Sequence, residues 1–244
     1  MKRSLWRKIL RIAGLSLLLI LIVFAVVAYR FISPKSDQQI VKSFEGEKHQ
    51  PHIQLFDFNG NPVRVIQMQS ELDTVLPCLV FVHGSPGSSL DFKRYLKDED
   101  LNDRFNLIAY DRVGYSDRNP GTPLKSVEEE VELLHALLRE YDLRKTTVVG
   151  YSYGGTVVMA SPAQFQRKVA LAAAVKGELE PLFWGLKLYQ WSLTRPLLPG
   201  AIRAASEEKL MHIEELRGND ARWKASSAPV LAIHGKKDFI VPYQ

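Results

Sequence analysis

The 244 residues are 46% hydrophobic and 24% charged, an ordinary globular balance with apolar content for one sizeable core. The formal charge of +5 is local, because Lys2, Arg3, Arg7, Lys8, Arg11 and Arg30 fall within residues 1–30, which hold no acidic residue, and the remainder is close to neutral. That distribution excludes a nucleic-acid-binding footprint in the rest of the chain and leaves one domain with appendages as the expectation.

In chain order, the first feature is Ile12 to Tyr29, 18 uncharged residues rich in Leu, Ile and Val. At ~1.5 Å per residue the run is about long enough to cross a bilayer as a helix. Five cations precede it, so the positive-inside bias keeps the N-terminus in the cytoplasm. Residues 1–30 are therefore expected to be a single-pass signal anchor, with the following domain on the periplasmic or extracellular side. A signal peptide cleaved after Ala28 competes, through Val26-Val27-Ala28, but the apolar run exceeds the usual ~7 to 15 residues. No Cys lies near the segment, which excludes a lipoprotein. Cys78, alone in the chain, cannot form an internal disulfide and reads as a core residue. Residues 31–51 turn polar and read as a tether.

The domain is expected over residues 52–244. Ile53 to Phe58 and Val63 to Gln67, separated by Asn59-Gly60-Asn61-Pro62, predict a β-hairpin. Short, fully apolar runs then alternate with longer amphipathic ones, the pattern of an α/β fold with a mostly parallel sheet and helices on both faces. The expected strands are Cys78 to Val82, Leu107 to Tyr110, Thr147 to Val149, Val169 to Val175 and Val230 to Ile233. Ser126 to Tyr141 predicts a crossover helix, with Ser126 and Glu129 as a capping box and Val127, Val131, Leu134, Leu137 and Leu138 as its apolar stripe. The stretch from about 177 to 225 breaks this rhythm and is dense in large apolar groups. It is expected to form a short helical cap over the site, its pocket lined by Phe183, Trp184 and Trp191.

Two motifs carry the chemistry. Gly150-Tyr151-Ser152-Tyr153-Gly154-Gly155 follows one apolar run and precedes Thr156-Val157-Val158-Met159, the strand and helix context of a nucleophile elbow. Glycine is needed on either side because the turn is strained and neighbouring backbone comes close. Ser152 then stands at a helix N-terminus, where the dipole favours developing negative charge. The second motif, His83-Gly84-Ser85-Pro86-Gly87, directly follows the strand Cys78 to Val82.

With these two motifs the chain resembles the α/β-hydrolase superfamily, specifically members with a His-Gly-x-Pro-Gly loop. The resemblance implies an oxyanion hole made by the backbone N–H groups of Ser85 and Tyr153, with His83 shaping the loop alongside Gly84, Gly150 and Gly154. Asp111-Arg112-Val113-Gly114-Tyr115-Ser116 resembles a family turn that supports the fold assignment. His234-Gly235-Lys236-Lys237-Asp238-Phe239-Ile240-Val241-Pro242 resembles the family's acid segment, implying that Asp238 orients the triad histidine. Glu178 and Glu180 stand where some relatives place the acid. Family order puts the histidine on a loop some tens of residues past the acid. The sequence ends six residues after Asp238, so the expectation is a C-terminally truncated form without the last helix, strand and triad histidine. Of the six histidines, His83 and His234 belong to motifs, His49 and His52 to the tether, and His135 to the crossover helix. His212, in the cap, is the one that could act as a stray base, and an exposed or cap-packing side chain is its ordinary reading.

The expected activity is hydrolysis of a carboxylic ester, or an amide or thioester, through an acyl-enzyme on Ser152. The substrate would be a small molecule or lipid-like ester. Resemblance of the His83 to Gly87 loop to that of prolyl aminopeptidases leaves peptides open. Serine chemistry of this kind needs no cofactor, and no metal constellation or nucleotide-binding loop is visible. The competing class is a non-catalytic, membrane-tethered binding protein that keeps the fold.

Overall fold

The computed structural model describes residues 2–218, 223 and 226–243 and divides into two compact units, Met1–Ser33 and Pro34–Gln244. The first unit is one 31-residue helix, α1 (Lys2–Ile32). Its described apolar side chains, Leu15, Leu19 and Val27 among them, are exposed. Among the described residues no helix is long and apolar enough to cross a membrane, so the spanning helix expected from the sequence has no counterpart there. The side chains of residues 2–10, 21, 24, 25, 28 and 31 lie outside the described set.

The second unit opens with α2 (Asp37–Lys42), started by a full capping box between Ser36 and Gln39. This corrects the tether expected over residues 31–51. Ile40 and Phe44 are fully buried against Ile66, Phe81 and Leu107, so part of that polar run is docked on the core. Two apolar side chains at helical spacing suffice to attach it.

Among the described residues seven strands form one sheet: β1 (His52–Phe58), β2 (Asn61–Gln67), β3 (Cys78–Val82), β4 (Asn106–Tyr110), β5 (Thr146–Tyr151), β6 (Arg167–Leu171) and β7 (Val230–Ile233), in the order β1-β2-β4-β3-β5-β6-β7. β2 pairs antiparallel with β1 and β4, and all other pairs are parallel. The expected hairpin turn is tighter than its polar separator suggested. Phe58 pairs with Asn61, which leaves Asn59 and Gly60 as a two-residue loop with φ of 52° and 80°. Positive φ at both positions is the type I′ geometry that matches strand twist. β6 stops four residues short of the expected end, because Ala172, at φ 44°, turns the chain out of the sheet.

The continuous apolar runs are used on both faces. Val80 and Val82 of β3 pack into one cluster with Val127, Leu134 and Val157, while Phe81 between them packs into another with Phe92 and Leu96. Side-chain alternation at period two divides each run in this way. Two short helices, α3 (Lys93–Leu96) and α4 (Glu99–Asn102), lie between β3 and β4, and α5 (Val127–Leu137) precedes β5. α5 is shorter than the predicted 126–141, and its cap is half the expected box. Ser126 Oγ accepts the Glu129 N–H at 3.1 Å, but the Glu129 carboxylate takes the N–H of Lys125 instead of that of Ser126. After β5 comes α6 (Tyr153–Ala160). Between β6 and β7 lie α7 (Leu186–Gln190) and α8 (Gly200–Gly218), the helical part of the expected cap.

Candidate active site

Ser152 directly follows β5 and caps α6 at φ 52° and ψ −120°, a positive-φ backbone that a residue with a side chain rarely adopts. The turn is held from outside: the Ser152 N–H donates to Leu171 O of β6 at 2.9 Å, and its C=O accepts from Gly155 and Thr156. Gly150 and Gly154 are required by contact. A Cβ on Gly150 would collide with the backbone of Gly154, and one on Gly154 would collide with the carbonyls of Val82 and His83. Tyr153 opens α6, so its N–H belongs to the first-turn donors that find no partner inside the helix.

The loop after β3 lies against this elbow. Gly84 comes so close that a Cβ there would stand 3.1 Å from the Ser152 Cβ. His83 is fully buried and uses both ring nitrogens: Nε2 accepts the Arg112 N–H at 2.9 Å, which makes Nδ1 the donor to Gly84 O at 2.7 Å. Burial first, then the Arg112 charge, holds its pKa well below the usual range, so it is a neutral brace. Ser85 and Ser152 both line a cavity of about 390 Å³.

Arg112 organises this region. Wholly buried, it donates to His83 O and Gly84 O at 3.2 Å each, to Glu130 of α5 at 2.8 Å, and through both terminal nitrogens to Glu208 of α8 at 2.7 and 3.1 Å. Its guanidinium also lies 4.8 Å from the Tyr115 ring centroid and 4.5 Å from that of Tyr153. Tyr115 Oη donates to Glu208 at 2.5 Å and bonds Ser85 Oγ at 2.8 Å. One cation thus ties the loop after β3, the crossover helix and the cap together. Two carboxylates share it at a buried site. Burial pushes Glu130 up to about 7 against the opposing pull of Arg112.

The cap closes over the elbow. Phe183, Leu186, Leu188 and Leu198 give the cavity apolar walls, with Glu180, Glu208, Lys209 and His212 as its polar groups. Of the three aromatics expected to line it, only Phe183 does so. Trp184 and Trp191 are 78% and 57% exposed: they flank α7, whose Leu186 and Leu188 take the places on the cavity. His212 is buried, its ring centroid 4.8 Å from that of Tyr153 and its Nδ1 4.0 Å from Glu180, and among the described residues its Nε2 has no hydrogen-bond partner. Burial, then Lys209 and Arg112, pushes its pKa down to about 3. Glu180 also pairs with Lys209, whereas Glu178 is exposed.

Asp238 stands in the turn after β7. Its Oδ1 accepts the N–H groups of Ile240 and Val241 at 3.0 and 2.9 Å, and its Oδ2 lies 3.9 Å from His234 Nε2, which bonds Val241 O at 2.7 Å. Ile240 and Val241 line the same cavity as Ser152. Ser152, Ser85, Tyr153 and the Asp238 turn are therefore gathered at the carboxyl ends of the strands. Among the described residues, no hydrogen bond joins a histidine to Ser152, and His212 is the histidine that lines its cavity.

In the sequence the turn containing Arg112 and Tyr115 reads as a fold marker, and Glu130 and Glu208 belong to no motif. One signal was available. Glu130 shares the helical face of Val127, Val131 and Leu134, and a charge on an apolar stripe implies a buried partner.

Comparison with known proteins agrees with this geometry. A curated relative, a proline iminopeptidase of Lactobacillus helveticus, is 26% identical over 147 residues, covering 59% of this chain and 47% of that protein. The chain thus spans about half the length of the curated relatives it matches. Among solved structures, an alpha/beta hydrolase fold protein from Burkholderia ambifaria superposes with a TM-score of 0.58 at 19% identity, covering 79% of this chain and 85% of that one. A membrane phospholipase A, described as a bacterial virulence factor, superposes with a TM-score of 0.56 at 18% identity, covering 99% of this chain and 84% of that one. The model of the alpha/beta hydrolase family matches residues 79–244, more than half of the chain and inclusive of every motif described above, and the chain belongs to that family.

Proposed function

We propose that this chain is a serine hydrolase that cleaves a carboxylic ester, or an amide or thioester, through an acyl-enzyme on Ser152. The observation that carries the reading is the strained Ser152 turn, held at the start of α6 over a cavity with apolar walls. In this mechanism Ser152 Oγ attacks the carbonyl carbon while a histidine takes its proton. The tetrahedral oxyanion accepts from the N–H groups of Ser85 and Tyr153. Collapse expels the alcohol, amine or thiol, which takes the proton, and water then cleaves the acyl-serine by the same steps in reverse. Asp238 orients the histidine and stabilises its imidazolium. Two backbone N–H groups already fix one oxygen of Asp238, which supports an orienting role.

A fluorophosphonate probe is expected to label the folded protein and to fail on Ser152→Ala. A folded protein that the probe leaves untouched sinks the reading. That outcome would favour the second one, a binding protein that keeps the fold, to which the lack of a histidine bonded to Ser152 among the described residues lends support.

The same proposal has α1 anchoring the chain, with the domain outside the cytoplasm. Its support is the uncharged run 12–29 behind five cations. Resistance of the membrane-bound chain to alkaline carbonate extraction, with the domain digested by protease added to spheroplasts, is the expected result. Release by carbonate would overturn it.

A further inference from the structure

The cap shows an outer face that the chemistry at Ser152 does not use. Between residues 181 and 199, Leu182, Trp184, Trp191, Leu193 and Leu197 are all exposed, at 57 to 78%. Exposed apolar residues scattered singly need no explanation, but five within one short segment mark a surface that is covered in use. The segment is built to hold this shape. Thr194 Oγ1 bonds Leu188 O, and Arg195 donates to Tyr189 O at 2.8 Å while stacking 4.8 Å from its ring. Its charged residues, Lys187 and Arg195, are both cations and both exposed, and it holds no Asp or Glu.

We infer that this outer face of the cap docks on an anionic lipid surface, with Trp184 and Trp191 at the headgroup level and Leu182, Leu193 and Leu197 entering the acyl boundary. Tryptophan suits that depth because its ring is apolar and its N–H can stay hydrated. Two exposed cations among exposed apolar groups, with no acid inside the segment, suit an interfacial segment, and anionic headgroups complement Lys187 and Arg195. Continuity with the site gives the docking a purpose. Phe183 and Leu188, in the same segment as the exposed residues, also wall the cavity that reaches Ser152. An acyl chain leaving the bilayer can pass along apolar side chains to the serine without crossing water. The substrate class that follows is an acyl ester held in a membrane, and that part rests on the hydrolase reading. The docking itself does not.

The test uses the full chain in lipid nanodiscs of phosphatidylcholine alone or mixed with phosphatidylglycerol. An environment-sensitive nitrobenzoxadiazole label is placed at Leu193→Cys, with Glu99→Cys on α4, before β4 and so at the amino ends of the strands, as control. Cys78 is buried and stays unlabelled. In the anionic discs the 193 label is expected to shift to the blue and to lose iodide quenching several-fold relative to the 99 label. The charge reversal Lys187→Glu/Arg195→Glu is expected to restore most of that quenching. Equal quenching at both positions overturns the inference. So does a blue shift that grows with protein concentration in lipid-free amphipol, which would assign the face to a second copy of the chain. Fluorophosphonate labelling of the same samples reports on Ser152 separately, so failure of the hydrolase reading and failure of the docking are told apart.

Discussion

The elbow and the cap meet at one cavity but are determined in opposite ways. Around Ser152 the backbone has no freedom: Gly150, Gly154 and Gly84 lie where a Cβ would meet other main chain or Ser152 itself, and strands on both sides fix the turn. The cap is held by side-chain bonds instead, such as that of Arg195 to Tyr189 O, and a Cβ on Gly185 would meet nothing within 4 Å. The difference teaches that a strained catalytic geometry is sustained by close-packed main chain, whereas a solvent-facing surface leaves room for side chains of other sizes.

The largest expected effect lies on the rigid side. Gly154→Ala drives a methyl into the carbonyls of Val82 and His83, and should lower stability by ~3 kcal/mol or more in urea denaturation, since backbone cannot yield as a side chain does. Arg112→Met comes next in kind. It strands the buried Glu130 and Glu208, for an expected loss of ~3–5 kcal/mol, and a loss under ~1 kcal/mol would show that the cap is not tied to the loop in this way.

His212 sharpens the comparison through pH. Its folded-state pKa of about 3 lies below its ordinary value, so the unfolded chain binds the extra proton and stability falls as pH drops through the window from the ordinary histidine range towards about 3. His212→Gln should remove a fall on the order of a few kcal/mol, read from urea midpoints across that window. If His212 is also the base for Ser152, fluorophosphonate labelling is lost in the same variant. If it only packs the cap, labelling survives. Tyr115→Phe removes the hydroxyl between Glu208 and Ser85 and should cost ~1–2 kcal/mol, with slower labelling of Ser152 as the readout of a displaced loop. The smallest effect belongs to the outer cap, where Leu197→Ser should stay within ~0.5 kcal/mol of the parent, because its side chain is already 74% in solvent.

Much of the fold was legible because its signals are local. β3 is legible to the residue, and β4 and β5 nearly so, since strands covered on both faces appear as unbroken apolar runs; β7 shows the same apolar run and the same bounds although it is an exposed strand at the sheet edge. The elbow was legible for the same reason, its glycines and flanking elements lying within a few residues. Ile40 and Phe44 were missed because two apolar residues in a polar run do not announce which surface they will meet. Trp184 and Trp191 were placed inside because composition says that a segment is apolar and not which way it faces.

By itself, then, the sequence determined the sheet, the nucleophile turn and the order of the motifs, all of which depend on periodicity or on steric demands between near neighbours. Only the tertiary structure decided that Arg112 joins residues 18 and 96 positions away, that His212 faces the serine's cavity, and that the cap turns its tryptophans outward. Those outcomes depend on which surfaces meet after folding, and burial of a charge or a ring is a property of that meeting rather than of any local run of residues.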